Sequence, residues 1–246
     1  MSWNSRLRIV LVRPRNPLNI GAAARAMLNF GFGELWLVDP YSEAFRTAKS
    51  AMGAAEVLAN ARVTKDPAEA YGDCSLVVAT SALTGRNTEI VRKEAPAAAA
   101  ALRTHLEDRK AALVFGSEKF GLSREDLSFC DWIFTIPTAP ECPSMNLGQA
   151  VAVCCYEIAR RSAPVAALKT PASASAEDRD RIFGILMPIL RESGFLFEGS
   201  EEAQGRKIRR WVTRLRLAPK DALLLQGMLR QIQWKLDHTK GPGTGD

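Results

Sequence analysis

Three short loops hold the residues whose types could do chemistry. The first runs Asn19-Ile20-Gly21-Ala22-Ala23-Ala24-Arg25, and the second runs Gly116-Ser117-Glu118-Lys119-Phe120-Gly121-Leu122. The third crowds Pro137, Pro140 and Pro143 ahead of Ser144-Met145-Asn146. Proline fixes φ and removes a backbone donor, so this third stretch is neither regular strand nor mid-helix but a stiff loop. Together the loops carry cations, carboxylates, hydroxyls and two side-chain amides, among them Arg25, Glu118, Ser144, Asn19 and Asn146. Neither histidine, His105 or His238, falls within them, so chemistry based on imidazole is not expected. A guanidinium stays protonated to about pH 12 or above, so Arg25 suits binding a phosphate or stabilising a developing negative charge rather than acting as a free base. Plain structural roles stand beside these: Arg25 in a salt bridge to Glu118, and Asn19 and Ser144 as helix caps.

Each loop follows an apolar run suited to a buried strand. Arg8-Ile9-Val10-Leu11-Val12 is broken by Arg13-Pro14-Arg15-Asn16-Pro17, and a helix is expected from about Ile20 to Phe30, with Asn19 as cap and Gly31 as stop. Glu34–Val38 is the next strand, giving a strand–helix–strand unit and a parallel crossover. Residues 47–60 read as helix, Val63 starts a short strand, and Pro67–Tyr71 is a short helix. Leu76–Thr80, Ala111–Phe115 and Trp132–Ile136 are further strands, with helices over 96–108 and from Leu147 to about Arg161. The alternation predicts an α/β fold with a mostly parallel sheet and helices on both faces. Such sheets bind ligands at the carboxyl ends of their strands, which is where all three loops fall.

The chain has 246 residues, 47% hydrophobic and 24% charged, with a net charge of +6. That supports a sizeable core and leans toward a polyanionic partner. The five cysteines contain no C-x-x-C pair and read as buried thiols in a reducing compartment; no metal site is expected. The apolar run Ile9–Val12 is too short for a signal peptide or membrane span, so a cytoplasmic protein without membrane contact is expected. Residues 163–176 are rich in Pro, Ala and Ser and read as a linker between a first domain, 1–162, and a helical extension, 177–240; residues 241–246 read as a disordered tail. Helices are expected in the extension over 177–193, 201–216 and 219–237. Arg206, Lys207, Arg209, Arg210, Arg214, Arg216 and Lys220 lie in one acid-free stretch around Trp211. It reads either as an RNA-binding surface or as a solvated basic face with Trp211 in the core.

Taken together, the three loops resemble the SPOUT superfamily of RNA methyltransferases, in its SpoU/TrmH branch. The match covers residues 8–161. Asn19, Gly21 and Arg25 fit its first motif; Gly116, Glu118, Gly121 and Leu122 fit its second; Ile136, Pro137, Ser144, Met145 and Asn146 fit its third. Pro140, Ser144, Asn146 and Leu147 fit the TrmJ subfamily of tRNA ribose methyltransferases, with Met145 where that subfamily has leucine. The resemblance implies a C-terminal trefoil knot, an S-adenosyl-L-methionine site within it, a homodimer, and 2′-O-methylation of cytidine or uridine at anticodon-loop position 32 of tRNA. It assigns Arg25, Ser144, Asn19 and Glu118 to catalysis. It assigns Thr80, Ser81, Ala82, Gly116, Ile136, Pro137, Met145 and Asn146 to the cofactor, with Ile136 and Met145 against the adenine and Gly116 allowing close approach. Arg13, Arg15, Arg209, Arg210 and Arg214 are expected to hold RNA. Ribose methylation of ribosomal RNA and non-catalytic RNA binding remain open alternatives; a nicotinamide dehydrogenase is disfavoured because the first strand–loop–helix lacks G-x-G-x-x-G spacing.

Overall fold

The computed structural model describes residues 3–41, 43–81, 90–160, 173–197, 199 and 201–239. Ala82 with the rest of its loop to Arg86, most of the expected linker and the 241–246 tail lie outside the described residues. The strands are β1 (Leu7–Val12), β2 (Glu34–Val38), β3 (Arg62–Thr64), β4 (Leu76–Thr80), β5 (Arg92–Glu94), β6 (Ala111–Phe115) and β7 (Trp132–Thr135). Among the described residues they form one seven-stranded sheet in the order β3-β2-β1-β6-β4-β7-β5, and every pairing is parallel. The central strands β1 and β6 are buried along their whole length, as their unbroken apolar runs require.

The first-domain helices are α1 (Pro17–Asn29), α2 (Ala55–Ala59), α3 (Pro67–Tyr71), α4 (Ala95–Leu106), α5 (Arg124–Ser128) and α6 (Leu147–Ala159). Right-handed crossovers put α1, α4 and α6 on one face and α3 and α5 on the other. Accordingly α1 and α4 both pack against α6. Helix α1 begins three residues earlier than expected. Its cap is Asn16, which accepts a hydrogen bond from the Leu18 amide at 2.9 Å, with Pro17 in the first helical position. Proline there costs nothing, because that amide has no intrahelical partner. Asn19 is therefore inside the helix and free for another role. The expected helix over 47–60 is instead a 3-10 turn at Lys49–Ala51 and the short α2, separated by Gly53 at φ +82°. Strand β5 and helix α5 were not expected.

The extension forms α7 (Ala176–Glu192), α8 (Glu201–Arg214) and α9 (Pro219–Thr239), close to the expected spans. It has its own hydrophobic cluster, built on Ile182, Ile189, Val212 and Leu229. It also docks on the sheet's second face, α7 against α3 and α8 against α5. At that junction Arg179 donates to Asp131 at 2.8 Å, with 9% and 6% of the two side chains exposed, and Asp131 also accepts from the Val77 amide at 2.9 Å. The Ala176 amide donates to the Cys74 carbonyl at 2.7 Å. Among the described residues no helix is long and apolar enough to cross a membrane.

Candidate active site

The carboxyl ends of β4, β6 and β7 open onto a cleft of about 420 Å³. Its walls are the Gly116–Leu122 loop, the Ile136–Met145 loop and the first residues after β4. A single hydrogen-bonded chain ties these loops to the start of α1. Glu118 reaches across from β6 and accepts from the backbone amides of Arg15 at 3.0 Å and Asn16 at 3.1 Å, and from the Asn19 side-chain amide at 2.9 Å. Asn19 in turn accepts from the Asn146 side chain at 2.9 Å. The Asn146 oxygen accepts from the Gly148 and Gln149 amides and so caps α6. One carboxylate and two asparagines thus join the three sequence motifs.

The electrostatics follow from this arrangement. Partial burial works against the charge on Glu118, but the hydrogen bonds from Asn19 and the Arg15 and Asn16 amides outweigh it and hold the carboxyl below its ordinary range. The loop bearing those amides is itself held from the other side. Arg13 adopts a left-handed backbone, φ +49°, unusual for a residue with a side chain. Its amide donates to the Val38 carbonyl at 2.7 Å, and its guanidinium pairs with Asp126, which is 2% exposed. Asp126 also completes a capping box with Ser123 at the start of α5.

The structure brings together many of the expected residues. Thr80, Ser81, Gly116, Ile136 and Met145 line the cleft, as do Glu118 and Ser144. Pro137 and Asn146 do not line it; Asn146 acts from behind, through the cap. Ser144 is exposed at the cleft and does not cap α6, because Asn146 has that position. Gly116, which lines the cleft, also has a part within its own loop. A Cβ there would lie 2.1–2.2 Å from the backbone of Gly121 and Leu122, so the glycine lets the loop fold on itself. Leu122, Phe134, Thr138 and Leu147 also line the cleft. Leu122 and Leu147 stood within the motifs, whereas Phe134 carried no signal beyond lying in a strand and Thr138 none beyond following one.

Arg25 is not a wall of this cleft, and among the described residues it has no ion pair to Glu118, whose oxygens face Arg15, Asn16 and Asn19. It lies six residues beyond Asn19, about 9 Å farther along α1. There it is exposed, on the same helix face as the exposed Leu18 and Leu28.

The basic stretch of α8 divides. Arg209 is turned inward: it pairs with Asp180 and stacks between Phe129 at 4.1 Å and Phe183 at 3.9 Å. Only 15% of the Arg209 side chain is exposed there, whereas Arg13, though paired with Asp126, keeps 43% of its side chain exposed. Arg210 is half-buried, while Lys207, Trp211 and Arg214 share the exposed face. Trp211 is 46% exposed rather than in the core, which Ile208 and Val212 fill. Cys142, in the proline-rich loop, is exposed; the other four cysteines are buried as expected, and burial pushes the Cys155 thiol up to about 12. Among the described residues no cluster of His, Cys, Asp and Glu could hold a metal ion.

Comparison with known proteins places this arrangement. Residues 6–156 match the model of the SpoU rRNA Methylase family. The tRNA (cytidine/uridine-2'-O-)-methyltransferase TrmJ of Yersinia pestis (strain Pestoides F) is 33% identical over 98% of this chain and 96% of its own length. The same-named protein of Salmonella typhimurium is 34% identical over 92% of this chain. The crystal structure of TrmJ from Z. mobilis ZM4 superposes with a TM-score of 0.81 at 32% identity, covering 92% of this chain and 98% of that one. A probable methylase family protein from Haemophilus influenzae Rd KW20 superposes at 0.58 with 30% identity. With its motif residues joined at one cleft and its relatives matching along nearly the whole length, the chain belongs to the SpoU methylase family.

Proposed function

We propose that the chain methylates a ribose 2′-hydroxyl in tRNA, on cytidine or uridine at position 32 of the anticodon loop, using S-adenosyl-L-methionine in the cytoplasm. The observation that carries this is the Glu118–Asn19–Asn146 chain, which joins all three motifs around one cleft. The cleft suits the cofactor in size, since small-ligand sites span about 300–1,000 Å³. Its donor set suits it too: apolar Ile136, Leu122 and Met145 for the adenine, the Thr138 and Ser81 hydroxyls, and loop backbone for the remaining polar groups. When bound, S-adenosyl-L-methionine supplies a methyl group on a sulfonium, open to displacement by an oxygen nucleophile.

The protein's part is to place the hydroxyl and manage its charge. Holding two reactants in register removes about 7–11 kcal/mol of barrier in favourable cases. Ser144, exposed at the cleft, positions the target hydroxyl. Arg25 binds the phosphate beside the ribose and stabilises the oxygen as it loses its proton to a phosphate oxygen or a water. Because Arg25 does not line its own cleft and shares an α1 face with exposed Leu18 and Leu28, we assign that face to a homodimer interface through which Arg25 serves the partner's cleft.

We also read the β7-to-α6 return as threaded into a trefoil knot. Strand β7 pairs with both β4 and β5 and so lies between them in the sheet, although it follows both in the chain and leads on into α6. Residues 1–162 form the catalytic domain and 177–240 the helical extension, which offers Arg210 and Arg214 to RNA while Arg15 holds phosphates near the cleft. Nucleoside mass spectrometry of tRNA and ribosomal RNA from a deletion strain tests the function. Loss of one 2′-O-methylpyrimidine from tRNA supports it, and loss from ribosomal RNA alone, or from neither, overturns it.

A further inference from the structure

We propose that two exposed aromatic–cation pairs at the cleft mouth, Tyr41 with Arg15 and Phe120 with Lys119, form a stacking platform for unpaired nucleotides flanking the target ribose. This rests on the RNA methylation proposed above and adds a binding surface to it. Tyr41 is 76% exposed and Phe120 62% exposed. Large rings left so open contribute little to folding, and an aromatic face flanked by cations at a functional cleft points to binding. The Arg15 guanidinium lies 5.2 Å from the Tyr41 ring centre, and the Lys119 ammonium 5.1 Å from that of Phe120.

The two pairs are neighbours because Glu118 joins them. It accepts from the Arg15 amide at 3.0 Å and directly precedes Lys119 in the chain. Both backbones are fixed while the rings face solvent: the Tyr41 amide donates to the Pro14 carbonyl at 3.1 Å, and the Phe120 amide to the Ser117 hydroxyl at 3.3 Å. Lys119 and Phe120 line the cleft, so the platform is continuous with the proposed site. Glu118, the acid between the pairs, has both oxygens hydrogen-bonded to three neutral amide donors.

A loop RNA fits this surface. Its unpaired bases splay out and stack on aromatic and guanidinium planes, and its phosphates meet the adjacent cations. Stacking accepts any base, so the platform orders the loop without reading its sequence.

The test uses the full-length protein with S-adenosyl-L-methionine and an anticodon stem-loop RNA carrying 2-aminopurine beside the target nucleotide. Stacking on binding quenches the probe. Tyr41→Ala and Phe120→Ala each abolish part of the quenching and weaken RNA binding by roughly tenfold. Neither changes the salt dependence of binding, since no charge is removed, whereas Arg15→Gln and Lys119→Gln each lower the slope by roughly 0.7–0.9. Phe120→Trp and Tyr41→Phe restore binding. Wild-type quenching and affinity in both alanine variants would overturn the platform. So would a loss confined to cofactor affinity, which would limit Phe120 to its place in the cofactor cleft, or a loss confined to self-association, which would assign the rings to a second copy. A wild-type protein that binds no stem-loop at all would instead remove the proposed function beneath it.

Discussion

Glu118→Gln isolates the contact on which the cleft depends. One Glu118 oxygen accepts from Arg15 and the other from Asn16 and Asn19. Glutamine keeps one oxygen and puts an amide opposite the other donor, so at least one hydrogen bond becomes a donor–donor contact. A hydrogen bond to a charged group contributes about 1.5–3 kcal/mol. Glu118 is partly exposed, and solvent screening moves the expected loss to the low end, about 1.5 kcal/mol. For a chain of this length that corresponds to a melting temperature lower by about 3–6 °C. The carboxyl is held below its ordinary range, so its stabilisation is present above the unfolded carboxylate pKa of about 4.3 and lost as pH falls through the lower folded value. Glutamine removes that acid-side dependence. Thermal melting against pH, together with calorimetric titration of S-adenosyl-L-methionine, reads both effects. The variant should melt lower at neutral pH, lose the acid-side slope and bind cofactor more weakly. An unchanged melting temperature with unchanged cofactor affinity would show that the loops hold their positions without Glu118.

Three further outcomes are expected. Arg25→Ala should lower turnover by about 10²–10³-fold with cofactor affinity retained; mixing it with Ser144→Ala should restore activity through mixed dimers, and no restoration would place Arg25 within its own chain's site. Arg179→Leu leaves Asp131 buried without its cation, at a cost of about 3–5 kcal/mol, so melting should fall by about 6–20 °C and proteolysis should release the extension. Burial, then the neighbouring Arg109, lowers the pKa of His105, which sits 3.0 Å from the Ser75 hydroxyl. The unfolded state therefore takes up the proton first, and stability should fall as pH drops below about 6.5. His105→Gln should remove that loss, as melting curves across the range will show.

Much of the site was legible because its residues sit at strand ends, where apolar runs stop and Gly, Pro and Asn begin. The α/β alternation and the extension helices followed from periodicity in the same way. What escaped had a physical reason in each case. Strand β5 is Arg-Lys-Glu, an edge strand with no apolar alternation to mark it. Helix α5 is a single short turn, although Ser123 and Asp126 stand at capping-box spacing. Asn16 and Asn19 are equally good caps by type, and Pro17 was the signal that chose between them. That Arg209 turns inward depends on Asp180, Phe129 and Phe183, which are distant in the chain and meet only after folding. The position of Arg25 away from its own cleft depends on where α1 starts, which spacing alone left three residues uncertain.

The most direct measurement is methyl transfer by the purified protein, with labelled S-adenosyl-L-methionine and unmodified tRNA, followed by mapping of the methylated nucleotide. A single 2′-O-methyl group on the pyrimidine at position 32, lost with Arg25→Ala and reduced with Glu118→Gln, is the expected result. Label on a base, label on ribosomal RNA in preference to tRNA, or full activity in Arg25→Ala would contradict it.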